Sequence, residues 1–462
     1  MQSVGTETKY LNLDIPKKIL LGLLFLMLFL IPALSYAAAP INSPSFWIKK
    51  LKNPDTAVLS QDEIETLNAM ILDDVEHMAD LESMPETVSG DRVFEWLWTG
   101  FLLKPGARYD SSGKKISEEF IDDVAYNMGL DSIAEEYEIR FGVVIERGDI
   151  RALPTDAPMY TSRRGGFDMM QYTSAHPTEP VALLHESRDG EWGFFQTSTL
   201  RGWMRLDKVA FGERDEVMAS TGDFLVVTGS HVKVYRDFAM KEPLSEVKMG
   251  ALLRVDGSGR EQGEPWKVNF PDKGPSGELV WVEAYLSPVA DVNLGYLPYT
   301  RKNIIRQAFK MLGEEYGWGG REGLRDCSLF IKDLFATVGL NLPRNSRLQG
   351  STGDVKAKAS EARSYREISK ALKSADPGIT LLTLNGHVML HIGDLKGKPY
   401  VIHQIFGYKD GRRMKLIKKT AVTGLDLGKR SRAGSFQKRL KSVTRVTIPG
   451  EKRAQALSDK SA

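Results

Sequence analysis

The chain has 462 residues, 42% of them hydrophobic and 26% charged, which is globular composition and enough length for several domains. The formal net charge of +2 gives no steering toward nucleic acid, and Gly and Pro are scattered, so collagen-like and low-complexity classes are excluded. A single cysteine, Cys327, excludes an intrachain disulfide framework.

At the N-terminus, Lys17 and Lys18 precede an apolar run from Ile19 to Leu34, followed by Ser35, Tyr36 and alanines up to Ala39. A basic start, an apolar stretch and small residues at a cut point describe a secretory leader. Residues 1–39 are read as a signal peptide that exports the chain to the periplasm or cell-wall space, with no stable membrane span once it is removed. An uncleaved anchor is the alternative, although the run is short for a spanning helix and contains Pro32. No cysteine lies near the cut point, so lipid attachment there is excluded.

Residues 40–139 read as a helical region. Ser60 with Glu63 forms a capping-box pattern, and Ile64, Leu67, Met70, Ile71 and Val75 follow at helical spacing. A second helix holds Phe120, Ile121, Val124, Ala125 and Met128 and ends before Gly129. From Phe141 the period shortens. Two sets of about five short strands (140–214 and 215–292) predict two small β-barrels. Both sets end on a Trp-containing strand, Gly202-Trp203-Met204 and Val280-Trp281-Val282, a weak sign of duplication. Trp192, Trp203, Trp266 and Trp281 read as core rather than ligand platforms.

Residues 293–450 form the last region. Thr300 caps a helix carrying Ile304, Ile305, Ala308, Phe309 and Leu312, and a second helix runs from Cys327 to Val338. Strand signals follow at 379–384, 387–393, 399–406 and 442–448. Helices followed by strands predict an α+β domain, and residues 451–462 read as a polar, disordered tail.

One unpaired thiol in an exported chain needs a reason: a buried inert thiol or a nucleophile. Glycines at 317, 319, 320 and 323 shape a tight loop that delivers Cys327 to the first turn of its helix, with Asp326 as N-cap. The positive end of the helix macrodipole there is expected to favour thiolate. His387 is the candidate base. With period two, His387, Met389 and His391 share one face while Val388, Leu390 and Ile392 face the core, so the two histidines stand about 13 Å apart. His391 is then a partly exposed decoy, and a metal pair is disfavoured because His-x3-His converges on a helix, not on a strand. If Gly393 and Tyr400 flank the next turn, His403 comes beside His387 as the orienting residue. Neither a metal nor a cofactor is implied. The basic run Arg412 to Lys419, with Lys429, Arg430, Arg432, Lys438, Arg439 and Lys441, reads as a solvated face or a surface for anionic wall polymer.

Asp326-Cys327-Ser328, Pro343-Arg344-Asn345-Ser346 and Gly386-His387-Val388, with His403 in third place, resemble the NlpC/p60-type cell-wall peptidases. The segments from Gly295-Tyr296-Leu297-Pro298 through Trp318-Gly319-Gly320, Phe141 to Pro154, Asp168 to Gln171 and His185 to Trp192 resemble the subgroup with bacterial SH3-like domains ahead of the catalytic one. The resemblance implies a multidomain α+β chain: a helical N-terminal domain, two SH3-like β-barrels and a papain-like cysteine peptidase domain. It implies hydrolysis of the γ-D-glutamyl–diamino acid bond of peptidoglycan-derived peptides, with Cys327, His387 and His403 catalytic. Asp326, Ser328 and Ser346 match positions that hold the free amino group of an N-terminal L-Ala. Tyr316 lines the cleft or donates to the oxyanion, plain packing being the alternative. Leu329 stands where many members have Gly, and Asn345 where some have Asp. The rival readings are an amidase or acyltransferase on the same scaffold and a catalytically dead wall-binding module. Nucleic-acid binding has no support from charge or motif.

Overall fold

The computed structural model describes residues 40–98, 108–218, 222–255, 261–359 and 364–450. The expected leader and tail lie outside these residues. Among the described residues no helix is long and apolar enough to cross a membrane.

Four helices of five residues or more occupy the described part of the N-terminal region: Pro44–Ile48, Gln61–Asp74, Gly90–Leu97 and Glu118–Asn127. Ser60 caps Gln61–Asp74 through a reciprocal capping box with Glu63. These helices serve two cores. Ile64, Leu67 and Ile71 pack with the helix that begins at Cys327, whereas Val93, Leu97, Val124 and Met128 pack on the sheet that follows.

That sheet is antiparallel and seven-stranded, in the spatial order Gln171–Ala175, Gly148–Arg151, Arg201–Arg205, Trp192–Gln196, Pro180–Glu186, Arg140–Val144, Val209–Phe211. Its successor runs in the order Pro243–Lys248, His231–Tyr235, Leu279–Leu286, Trp266–Lys273, Leu252–Val255, Phe224–Val227, Val292–Leu294. Numbered within each sheet, both orders are 3-2-6-5-4-1-7, and the two tryptophan strands both occupy place 6. One topology used twice is stronger support for duplication than the tryptophans alone. Neither order closes on itself, so these are open sheets rather than closed barrels. The second nevertheless wraps a core drawn from its own strands, including Leu225, Val234, Val247, Leu253, Phe270 and Leu286. Strands such as Gly148–Arg151 and Pro243–Lys248 escape the hydropathy pattern because their sequences, GDIR and PLSEVK, are mostly polar or Pro-containing. Trp192 and Trp203 are buried, while Trp266 and Trp281 are half-buried.

The C-terminal part packs the helices Arg301–Lys310 and Cys327–Ala336 on a six-stranded antiparallel sheet. Its order is Asp354–Lys358, Ser442–Arg445, Thr380–Leu384, His387–Leu395, Lys398–Asp410, Arg413–Gly424. Thr300 caps the first helix by accepting from the Asn303 N–H. Phe330, Ile331 and Leu334 of the cysteine helix meet Val388, Leu390 and Ile392, while Met389 enters a second core on the sheet's other face. Both faces of the strand His387–Leu395 are thus covered. This overturns the expected exposure of His391, which is 1% accessible. The basic run after Arg412 lies largely on Arg413–Gly424, a twelve-residue edge strand whose lysines hid its strand character.

Candidate active site

The loop before Cys327 is held by backbone that only glycine tolerates well. Gly319 and Gly320 have φ of 61° and 76°, and a Cβ on them would stand 2.4 Å from Gln171 Cγ and 2.3 Å from Ser174 Oγ. The approach is close because the strand Gln171–Ala175 docks here. Gln171 Nε2 donates to the Gly319 carbonyl at 3.0 Å, and Ser174 Oγ donates to the Gly320 carbonyl at 3.1 Å.

Asp326 caps the helix, its carboxylate accepting from the N–H groups of Ser328 and Leu329 and also from that of Gly319. Arg344 closes on both of its oxygens at 3.1 and 2.6 Å, and reaches Ser328 Oγ and Thr173 Oγ1 at 2.7 Å each. Burial works to raise the Asp326 carboxyl, but the charge and hydrogen bonds of Arg344, with the backbone donors, hold it below its ordinary value. Asn345 caps the short helix Ser346–Gln349 through the Arg347 N–H, a task an Asp would serve equally.

Cys327 is 6% accessible, with its sulfur 4.0 Å from the Gly386 carbonyl at the head of the strand that starts with His387. Gly393 pairs with Tyr400 across the following turn, and a bulge lies between His391 and Gly393. This register sets His387 Nε2 2.8 Å from His403 Nδ1, and His403 Nε2 lies 3.0 Å from Thr423 Oγ1. His391 points elsewhere, toward Asp394 at 3.8 Å, with neither ring nitrogen hydrogen-bonded.

The electrostatics differ from the expectation drawn from the helix dipole. Burial, reinforced by the Asp326 carboxylate, pushes the Cys327 thiol up to about 12. Burial, and then the charge of Arg439, brings His387 down to about 4, and burial holds His403 well below its ordinary value. A helix terminus contributes about 0.3–2 kcal/mol, too little to offset full desolvation of a thiolate. At neutral pH the resting pair is therefore a neutral thiol and a neutral imidazole.

Two cavities of about 660 Å³ each meet at Tyr316, Trp318 and Gly386. One carries Cys327, Asp326, Ser328 and Ser346; the other carries His387. Burial drives the Tyr316 phenol far above its ordinary range, so it keeps its proton and remains a donor. Its ring joins Phe167, Trp318 and Phe406 in an aromatic wall, with Phe167 and Trp318 stacked at 4.2 Å.

Sequence reasoning singled out neither Arg344's ion pair, nor Phe167, nor the far end of the cysteine cavity, where Arg201 lies 4.3 Å over the Trp96 ring. Arg344 was within reach, since it adjoins Asn345-Ser346; the others come from distant segments and leave no local pattern.

Residues 313–411 match the model of the NlpC/P60 family, and residues 159–205 match an SH3 domain of the SH3b1 type. The chain is similar in structure to an NlpC/P60 endopeptidase from Photobacterium damselae subsp. piscicida, with TM-score 0.69 and 17% identity, covering 87% of this chain and 97% of that one. An NlpC/P60 family protein from Bacillus cereus ATCC 10987 is more distant, at TM-score 0.44 and 16% identity over 60% of this chain and 83% of that one. No curated protein sequence matches the chain. The family-model matches and the shared fold agree: the chain is a cysteine peptidase that carries an NlpC/P60 domain at residues 313–411 behind an SH3b1-type domain at residues 159–205.

Proposed function

We propose that Cys327, His387 and His403 form the catalytic triad of an endopeptidase that cuts the γ-D-glutamyl–diamino acid bond of peptidoglycan stem peptides. The observation that carries this reading is the His387–His403 hydrogen bond, which leaves His387 Nδ1 free, one residue beyond the Gly386 carbonyl that the Cys327 sulfur approaches at 4.0 Å. The base role requires one set of tautomers along this hydrogen-bond chain. For Nδ1 to accept a proton, His387 must carry hydrogen on Nε2 and donate it to His403 Nδ1. His403 then carries hydrogen on Nε2 and donates to Thr423 Oγ1. His403 thereby fixes the base in its accepting form, as the third member of such a triad does.

In the reaction, His387 Nδ1 takes the Cys327 proton as the sulfur attacks the scissile carbonyl. The charge that develops on oxygen is met by the Cys327 N–H, which precedes the first intrahelical bond, and by the Tyr316 hydroxyl. His387 then returns its proton to the leaving amine, and water hydrolyses the thioester with His387 again as base. The cavity on the cysteine side receives the acyl part, an L-Ala-γ-D-Glu unit with a free amino end. Arg344 offsets the charge of Asp326 and occupies one lone pair of Ser328 Oγ, so the acceptors for that ammonium are Ser346, the exposed Glu76 at the cavity wall and the second lone pair of Ser328. With an N-terminal leader for export, the enzyme acts on the wall side of the membrane.

A digest of defined muropeptides tests the reading. The native enzyme releases the diamino acid fragment from L-Ala-γ-D-Glu-diaminopimelate, acetylation of the L-Ala amine blocks release, and Cys327→Ala abolishes it. Release of an intact stem peptide from muramic acid would show an amidase instead.

A further inference from the structure

The proton for the leaving amine comes from His387, so the leaving residue must occupy the cavity on the His387 side. The polar character of that cavity is one-sided. Lys438, Arg439 and Lys441 line it, no Asp or Glu does, and among the described residues none of the three cations is in an ion pair. Arg439 is the least exposed of the three. It lies 4.9 Å over the Phe436 ring, and that ring packs edge-on against both His387 and His403. Its Nε is buried with no hydrogen-bond partner. The rest of the guanidinium is half-buried at the cavity wall near His387, and the complement of its terminal N–H groups is a carboxylate.

We propose that Arg439 binds a carboxylate of the leaving residue, with Lys438 and Lys441 extending the positive field, so that the enzyme selects a leaving diamino acid whose carboxyls are free. This deepens the peptidase reading and rests on it for the direction of the substrate. A carboxylate on the leaving residue's Cα is two bonds from the amine that His387 protonates, which places it on Arg439's side of the imidazole. Its arrival also offsets the positive charge that helps depress His387, strengthening the base once substrate is seated.

The test compares L-Ala-γ-D-Glu-meso-diaminopimelate with the same peptide carrying both diaminopimelate carboxyls as amides, in native enzyme and in Arg439→Gln. Native enzyme is expected to favour the free acid by about tenfold or more in kcat/KM. Arg439→Gln loses that preference by slowing the acid far more than the amide, and an unfolding midpoint equal to that of native enzyme shows that the variant is folded. Arg439→Lys keeps a charge but not the fork and falls between. Equal cleavage of acid and amide by native enzyme, or an equal fall on both in Arg439→Gln, overturns the proposal. Calorimetry on Cys327→Ala, with and without Arg439→Gln, separates this question from turnover. If native enzyme cleaves neither peptide, the peptidase reading fails, and tighter binding of the acid that depends on Arg439 still upholds the carboxylate site, whereas equal binding of both peptides overturns it.

Discussion

Arg344→Met is the most informative perturbation outside the reacting groups. It removes two hydrogen bonds to Asp326 and one each to Ser328 and Thr173, from side chains of which Arg344 and Asp326 are 7% accessible. Removing one partner of a buried pair costs about 3–5 kcal/mol. Asp326 keeps the N–H donors of Gly319, Ser328 and Leu329, so the lower end, about 3 kcal/mol, is expected. With a urea slope of about 2–3 kcal/mol/M, the midpoint of the transition that includes this domain falls by about 1–1.5 M, read by tryptophan fluorescence. A cycle with Asp326→Asn should show a coupling energy of about 2 kcal/mol or more. The pH dependence follows in sign. A carboxyl held low in the folded state contributes stability that is whole above its unfolded value of about 3.9 and is lost as pH falls through the lower folded value. Native enzyme loses this contribution in that acid window, and Arg344→Met has less of it to lose. Additivity of the two substitutions within about 0.5 kcal/mol would refute the view that Arg344 and Asp326 act as one unit.

Three more outcomes are expected. Thr423→Val leaves the His403 Nε2–H without an acceptor and loosens the tautomer chain, so kcat should fall by about tenfold with KM little changed; an unchanged kcat would remove Thr423 from the chain. His391→Phe replaces a buried ring with no hydrogen bond, so it should keep turnover within about twofold and thermal stability within about 1 kcal/mol; loss of activity would mean that His391 does more than pack. Because burial brings His387 down to about 4, the acid limb of kcat/KM should lie near that pH, with the base available above it, and Arg439→Gln should move the limb upward; a limb near the ordinary imidazole value would contradict a buried, neutral base.

The sequence showed local devices well and distant partnerships poorly. The caps at Ser60, Thr300 and Asp326, the Gly393–Tyr400 turn and the glycine loop each obey rules spanning a few residues, and each is found where those rules place it. The approach of His403 to His387 was legible because one hairpin joins them. The Asp326–Arg344–Thr173 network joins segments up to 171 residues apart, which no periodicity records. The burial of His391 was misjudged for a related reason. Period two locates the two faces of a strand, but not whether packing covers both. The thiol was misjudged because a helix terminus is visible in sequence while desolvation is not.

The docking of Gln171–Ala175 onto the loop before Cys327 bears on how freely such an enzyme can be rebuilt by recombination. A graft of the NlpC/P60 segment onto a different module would strip donors from the Gly319 and Gly320 carbonyls and an acceptor from Arg344, and leave the nucleophile's approach loop without its mould. The SH3b1 segment and the NlpC/P60 segment therefore share one seam, and lengthening or shortening the chain between them should be tolerated only where that seam stays closed.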